Sequence, residues 1–193
     1  MNWNAVNNMV TAGAPLRAIS AGGAGGLSDL SQLHGGIELQ TAAVLNDSFL
    51  LQSGGTNINL PFNVTEDVYY VVDFYLPSVA NILTYVALWF DANNYLGIRL
   101  NTGVDGNFYF VTRLAAAETT TSLGAAATTW YRAYIYAGAA SCWCVLNGAN
   151  AVVHTANIPT DNLSVFIRIE TLDGAPALKT MRTREILVLQ DAP

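Results

Sequence analysis

The chain reads as an all-β protein: an antiparallel two-sheet β-sandwich preceded by an extended N-terminal arm. Three observations predict it. From Gly36 onward, apolar residues recur with a period of two, which puts alternate side chains on opposite faces of a strand. The alternating runs are separated by turn pairs, namely Asn93-Asn94, Asp105-Gly106, Asn147-Gly148 and Asp173-Gly174. No stretch keeps a helical period for the length of a long helix.

The arm comes first, at residues 1–35. It is rich in Asn, Ala, Gly and Ser, and the run Ala21-Gly-Gly-Ala-Gly-Gly26 reads as flexible linker. A short helical turn is expected near residues 27–33, with Ser28 as its cap. The apolar side chains Trp3, Val6, Met9 and Leu16 are the candidates for attachment to a neighbouring surface.

The sandwich follows, at residues 36–193. Val68, Tyr70, Val72, Phe74 and Leu76 alternate with Tyr69, Val71, Asp73 and Tyr75. Phe108 and Phe110 alternate with Tyr109, Val111 and Arg113, and Leu163, Val165, Ile167 and Ile169 with Ser164, Phe166, Arg168 and Glu170. In residues 141–146 both faces are apolar: Cys142, Cys144 and Leu146 on one, Trp143 and Val145 on the other. A strand of a two-layer sandwich buries one face, so the second face is expected to meet another element or another chain.

Composition supports assembly. Of the 193 residues, 52% are hydrophobic and only 11% charged, against about 25% in an ordinary soluble domain. Residues 74–90 and 133–160 contain no Asp, Glu, Lys or Arg at all. Pro77 and Asn81 interrupt the first span and Gly138, Asn147 and Gly148 the second, so neither reads as a membrane helix. The N-terminus has no basic leader followed by an apolar run, so no secretion signal is expected. The net charge of −6, with scattered basic residues, argues against nucleic acid as a partner.

Chemistry-bearing motifs are scarce. Cys142 and Cys144 share a strand face about 7 Å apart, too far for an easy disulfide, and read as free thiols in a reducing compartment. A metal site on them would need two further ligands, and His34 and His154 are the only histidines. No nucleophile motif accompanies either histidine, which makes His154 a structural or surface residue. The glycines at 22–26 lack the Lys-Ser/Thr of a phosphate loop. Asp91-Ala-Asn93 offers oxygens to Ca²⁺ but reads first as a turn. No cofactor is expected, and catalysis is not.

From residue 93 the order of motifs resembles a known family. Asn93-Asn-Tyr-Leu-Gly-Ile-Arg-Leu100 precedes the strand Asn107-Phe-Tyr-Phe-Val-Thr-Arg113. Then come Thr129-Trp-Tyr-Arg-Ala-Tyr-Ile135, a hairpin through Cys144-Val-Leu-Asn-Gly148, and closing strands near 163–171 and 184–189. Over residues 60–190 this resembles the concanavalin A-like lectin/glucanase (laminin G-like) jelly rolls. That resemblance implies two curved antiparallel sheets packed face to face. The family includes glucanases, lectins, adhesion modules and domains of tailed-bacteriophage virion proteins. Its glucanases carry Glu-x-Asp-x-x-Glu on one strand, where paired carboxylates flank a glycosidic bond. Here Glu170-Thr-Leu-Asp173 comes nearest and does not match.

Alternation places Val72, Phe74, Leu88, Ile98, Phe108, Phe110, Ile135 and Ile167 inward. Outward it places Asp73, Tyr75, Trp89, Arg99, Tyr109, Arg113, Arg132, Tyr134, Tyr136 and Arg168. Of these, Tyr75, Trp89, Tyr109, Arg132 and Tyr134 are the candidate interface or glycan contacts, because aromatics beside charge serve both protein interfaces and sugar surfaces. The expected function is that of a structural virion protein of a tailed bacteriophage, a capsid cement, fibre or tail component made in the host cytoplasm. It would form a homo-oligomer, with a trimer favoured. Its arm would grip a larger shell, such as one built by the major capsid protein. The alternative is a carbohydrate-binding module or lectin that reads a glycan with its aromatic face.

Overall fold

Two antiparallel sheets pack across one apolar layer. The computed structural model describes residues 16–21, 26–29, 36–53, 62–172 and 177–190. The first sheet runs in the order β1 (Leu16–Ala21), β4 (Ser48–Ser53), β14 (Asn162–Thr171), β7 (Ile82–Asp91), β8 (Asn94–Asn101), β9 (Asn107–Leu114) and β10 (Ala117–Ala125). The two-residue β5 (Phe62–Asn63) also pairs with β14. The second sheet runs β13 (Val152–His154), β12 (Cys142–Leu146), β11 (Trp130–Ala137), β6 (Val68–Tyr75), β15 (Thr180–Gln190), β3 (Ile37–Gln40) and β2 (Gly26–Asp29).

The inward set behaves as alternation predicts: all eight of its residues are buried in one core. Phe74 of the second sheet meets Phe108 of the first edge-on, with ring centroids 5.9 Å apart. Tyr131 lies against both rings, and its hydroxyl bonds the backbone N–H and C=O of Ala127, which anchors the loop before β11. Cys142 and Cys144 are free thiols on the inner face, and burial pushes both up to about 12. Gly97 sits where β8 crosses closest to β7: a Cβ there would come within 2.4 Å of the Val86 carbonyl oxygen.

The turns follow the sequence where they are described. Asn147 and Gly148 both take the left-handed backbone that a tight hairpin needs. Asp91 Oδ1 accepts hydrogen bonds from the Asn93 N–H and the Asn94 side-chain amide, so this carboxylate shapes a turn. Asp173-Gly174 lies outside the described residues.

The N-terminal region departs from expectation. The segment read as arm supplies an edge strand to each sheet, β1 pairing with β4 and β2 with β3. A boundary at residue 35 therefore falls inside the sandwich, and residues 26–29 are strand where a helical turn was expected. The physical reason is that edge-strand pairing is made by backbone groups, so Leu16–Ala21 and Gly26–Asp29 join ladders without a strict apolar alternation to reveal them. Leu16 opens β1 in register with Ser53. Trp3, Val6, Met9 and His34 lie outside the described residues. No helix among the described residues is long and apolar enough to cross a membrane.

Candidate functional site

The outward residues do not form one surface. Trp89, Arg99, Tyr109, Arg113 and Arg168 lie on the outer face of the first sheet. Asp73, Tyr75, Arg132, Tyr134 and Tyr136 lie on the outer face of the second, on the far side of the sandwich. Alternation separates inside from outside but does not say which sheet a strand joins.

The first face closes on itself. Ala87, Gly97 and Val111 occupy one cross-strand row, and large rings from the neighbouring positions lie over it. Trp89 stacks on Phe166 at 4.3 Å and on Tyr95 at 4.6 Å, while Tyr85 meets all three rings edge-on. Phe166 and Tyr95 are buried although they point away from the core. Burial holds the Tyr95 phenol up at about 12. Around the rings the charges pair: Arg99 makes a two-pronged bond to Glu118 at 2.8 and 2.9 Å, and Arg168 pairs with Glu170. Tyr109 donates to Asp105 at 2.6 Å, which keeps that carboxyl below its usual range.

The second face is open, and strand register organises it into rows. Val153, Trp143, Tyr136, Tyr69 and Leu189 stand side by side across β13, β12, β11, β6 and β15. Val145, Tyr134, Val71 and Leu187 form the next row. Neither row contains a charge. Val153 is 57% exposed, Leu189 55%, and Tyr69 and Tyr134 38% each. Within the first row, Tyr136 stacks with Trp143 at 5.6 Å and meets Tyr69 at 5.1 Å, and its hydroxyl donates to Asp67 at 2.6 Å.

A third row is charged: Arg132, Asp73 and Glu185. Asp73 is almost fully buried beneath two guanidiniums, Arg184 at 3.0 Å and Arg132 at 3.5 Å, and Arg132 also bonds Glu185. The fourth row sets Trp130 beside Tyr75, Arg182 and Glu38. Arg184 lies over the Trp130 ring at 4.5 Å, Arg182 over Tyr75 at 5.7 Å and Arg132 over Tyr134 at 5.6 Å. Of the five candidate contacts, this face thus gathers Tyr75, Arg132 and Tyr134 and leaves Trp89 and Tyr109 on the other sheet. Sequence reading did not single out Tyr69, Val153, Leu187 and Leu189. Their signal was alternation opposite buried partners, which becomes a surface only once the strand order is known.

His154 is a structural residue and not a surface one. It projects inward from the edge strand β13, buried between Thr112 and Thr121, whose hydroxyls lie 3.1 Å from Nδ1 and 3.0 Å from Nε2. Among the described residues, no three of His, Cys, Asp and Glu are grouped so as to hold a metal ion.

No protein-family model and no curated protein matches the chain. Solved structures do. A protein of unknown function, SO2946 of Shewanella oneidensis MR-1, is 15% identical and superposes with a TM-score of 0.61 over 88% of this chain and 79% of its own. A β-1,3-glucanase from Mycobacterium marinum gives 0.61 at 9% identity, over 80% and 74% of the two chains. An alginate lyase of polysaccharide lyase family 7 gives 0.56 at 10% identity, over 86% and 85%. The fold is that of the glucanase and lyase sandwiches. It is a two-sheet β-sandwich consistent with the concanavalin A-like jelly roll, and at these identities the likeness concerns the fold alone.

Proposed function

We propose that this chain is a non-catalytic structural protein that works by self-assembly, of the kind built into tailed-bacteriophage particles. The observation that carries the reading is the pair of charge-free rows open on the second sheet, in a chain where only 11% of residues are charged. Monomers seldom leave contiguous apolar surface uncovered, so such rows mark a contact face. The virion setting draws its support from the jelly-roll resemblance and the poverty of charge. There residues 1–15 would grip the surrounding shell.

The carboxylates argue in the same direction: Asp73 and Glu185, neighbours on the second sheet, are both held by Arg132. Glu118 of β10 and Glu170 of β14 stand on one face but four strand spacings apart, about 19 Å. Glycosidase carboxylate pairs are separated by about 5–9.5 Å. Both are also engaged by arginines.

A second reading, glycan binding, is favoured by Tyr134 and Tyr75 on the open face, with Arg132 and Arg182 over their rings. The glucanase and lyase neighbours act on polysaccharides by their names, which fits it. Light scattering after size exclusion separates the two, comparing the full chain with a chain starting at Leu16, which keeps both edge strands. The assembly reading predicts a defined oligomer for both chains, with only the full chain joining larger particles. Two monomers with affinity on a glycan array would establish the second reading instead.

A further inference from the structure

We infer that the open face of the second sheet seats a second copy of this chain, face to face across a two-fold axis near Tyr69 and Tyr136; the inference rests on the assembly reading above. Four observations point to a second copy.

The first is charge. The face carries Arg132, Arg182 and Arg184 against Glu38, Asp73 and Glu185, all paired among themselves, with the Asp67 carboxylate that holds the Tyr136 hydroxyl at its margin. The whole chain has 8 basic and 14 acidic residues. Subtracting three of each leaves 5 basic and 11 acidic for the rest. Two copies therefore repel less here than at their other surfaces, and a face with no excess of positive charge offers nothing to a polyanion.

The second is chemistry. Aromatic rings in the rows alternate with Val71, Val145, Val153, Leu187 and Leu189, which cannot hydrogen-bond a sugar hydroxyl but pack well against a second apolar sheet.

The third is arrangement. In an isologous contact a row off the axis meets the row at the same distance on its other side, so an axis parallel to the rows and between the two uncharged ones sets each of them against the other. With the axis centred on the uncharged rows, apolar meets apolar and the Arg132–Asp73–Glu185 row falls at the rim, the usual anatomy of a protein interface. Tyr136 already stacks on Trp143, touches the Tyr69 ring and is tethered to Asp67, so little side-chain freedom is lost on docking.

The fourth is size. The four rows hold 5, 4, 3 and 4 residues, 16 positions of about 33 Å² each, or about 520 Å², against about 800 Å² per partner in a standard interface.

Sedimentation velocity of the full chain over a range of concentrations tests this, alongside Leu189→Lys, Tyr134→Lys and, as a control off the face, Val104→Lys at an 80% exposed turn. The full chain and the control should run at twice the 20.6 kDa chain mass or an even multiple. Each face variant should weaken pairing by at least about tenfold while keeping the parent's far-ultraviolet circular dichroism. If a face variant fails to fold, Val153→Lys on the short edge strand takes its place. Face variants that keep the parent's mass, or an odd oligomer in all chains, overturn the two-fold face while leaving the assembly reading intact. A full chain at 20.6 kDa throughout overturns both.

Discussion

His154 shows how the core tolerates a polar ring. The Thr112 hydroxyl donates to the Ala156 carbonyl at 2.9 Å, so toward Nδ1 it accepts, and the ring proton sits on Nδ1. Nε2 then accepts from Thr121. The neutral ring is fully satisfied, and burial lowers its pKa. The unfolded chain titrates near the ordinary value of about 6.5. Below that pH the unfolded state binds a proton that the native state does not, so the stabilisation complete above pH 6.5 is lost on acidification. The thermal midpoint of the native protein should therefore fall between pH 7.5 and 5.5, and that of His154→Gln should fall less. Parallel curves would contradict the placement.

At the scale of elements, the hairpin from β9 to β10 turns on Ala115 and Ala116, both left-handed at φ 48° and 70°. L-residues other than Asn and Asp resist this conformation by roughly 1–2 kcal/mol. The neighbouring β7–β8 hairpin holds it in place: the Ala115 N–H donates to Asn94 Oδ1 at 2.9 Å and the Ala116 N–H to the Asn93 carbonyl at 3.2 Å. Ala116→Gly should stabilise the protein by about 1 kcal/mol, read as a higher urea midpoint with unchanged slope; a lower midpoint would refute the strain.

The same hairpin marks the limit of sequence reading. Asn147-Gly148 announces its turn because its residues favour the left-handed backbone by themselves. Ala115-Ala116 is silent because its conformation is imposed by a loop some twenty residues earlier in the chain. Strands β1 and β2 are silent for a related reason, since their pairing is a property of backbone. The core strands were legible because Val72, Phe74, Phe108 and Ile167 alternate strictly and the core accepts one register only.

At the scale of the molecule, sequence carried two signals of assembly, the shortage of charge and the two-sided strand β12. The structure gives the second signal a location. Trp143 and Val145 of β12 extend, through register, into rows that reach from Val153 to Leu189. The first sheet, with equally aromatic outward residues, buries them under one another and pairs its arginines with Glu118 and Glu170. Two faces of similar composition therefore differ in what they leave for a partner: a self-capped aromatic cluster on one side and an uncovered apolar stripe on the other. The difference comes from strand order, which brings β13, β12, β11, β6 and β15 together, and which no local pattern encodes.

Self-assembly through the second sheet predicts that this stripe is covered in the working protein. Hydroxyl-radical footprinting of the full chain, dilute and concentrated, addresses it residue by residue. Labelling of Tyr69, Tyr134 and Leu189 should fall as concentration rises, while Phe90 and Val104, exposed away from the stripe, should label equally at both. Unchanged labelling of the stripe at every concentration would contradict the account.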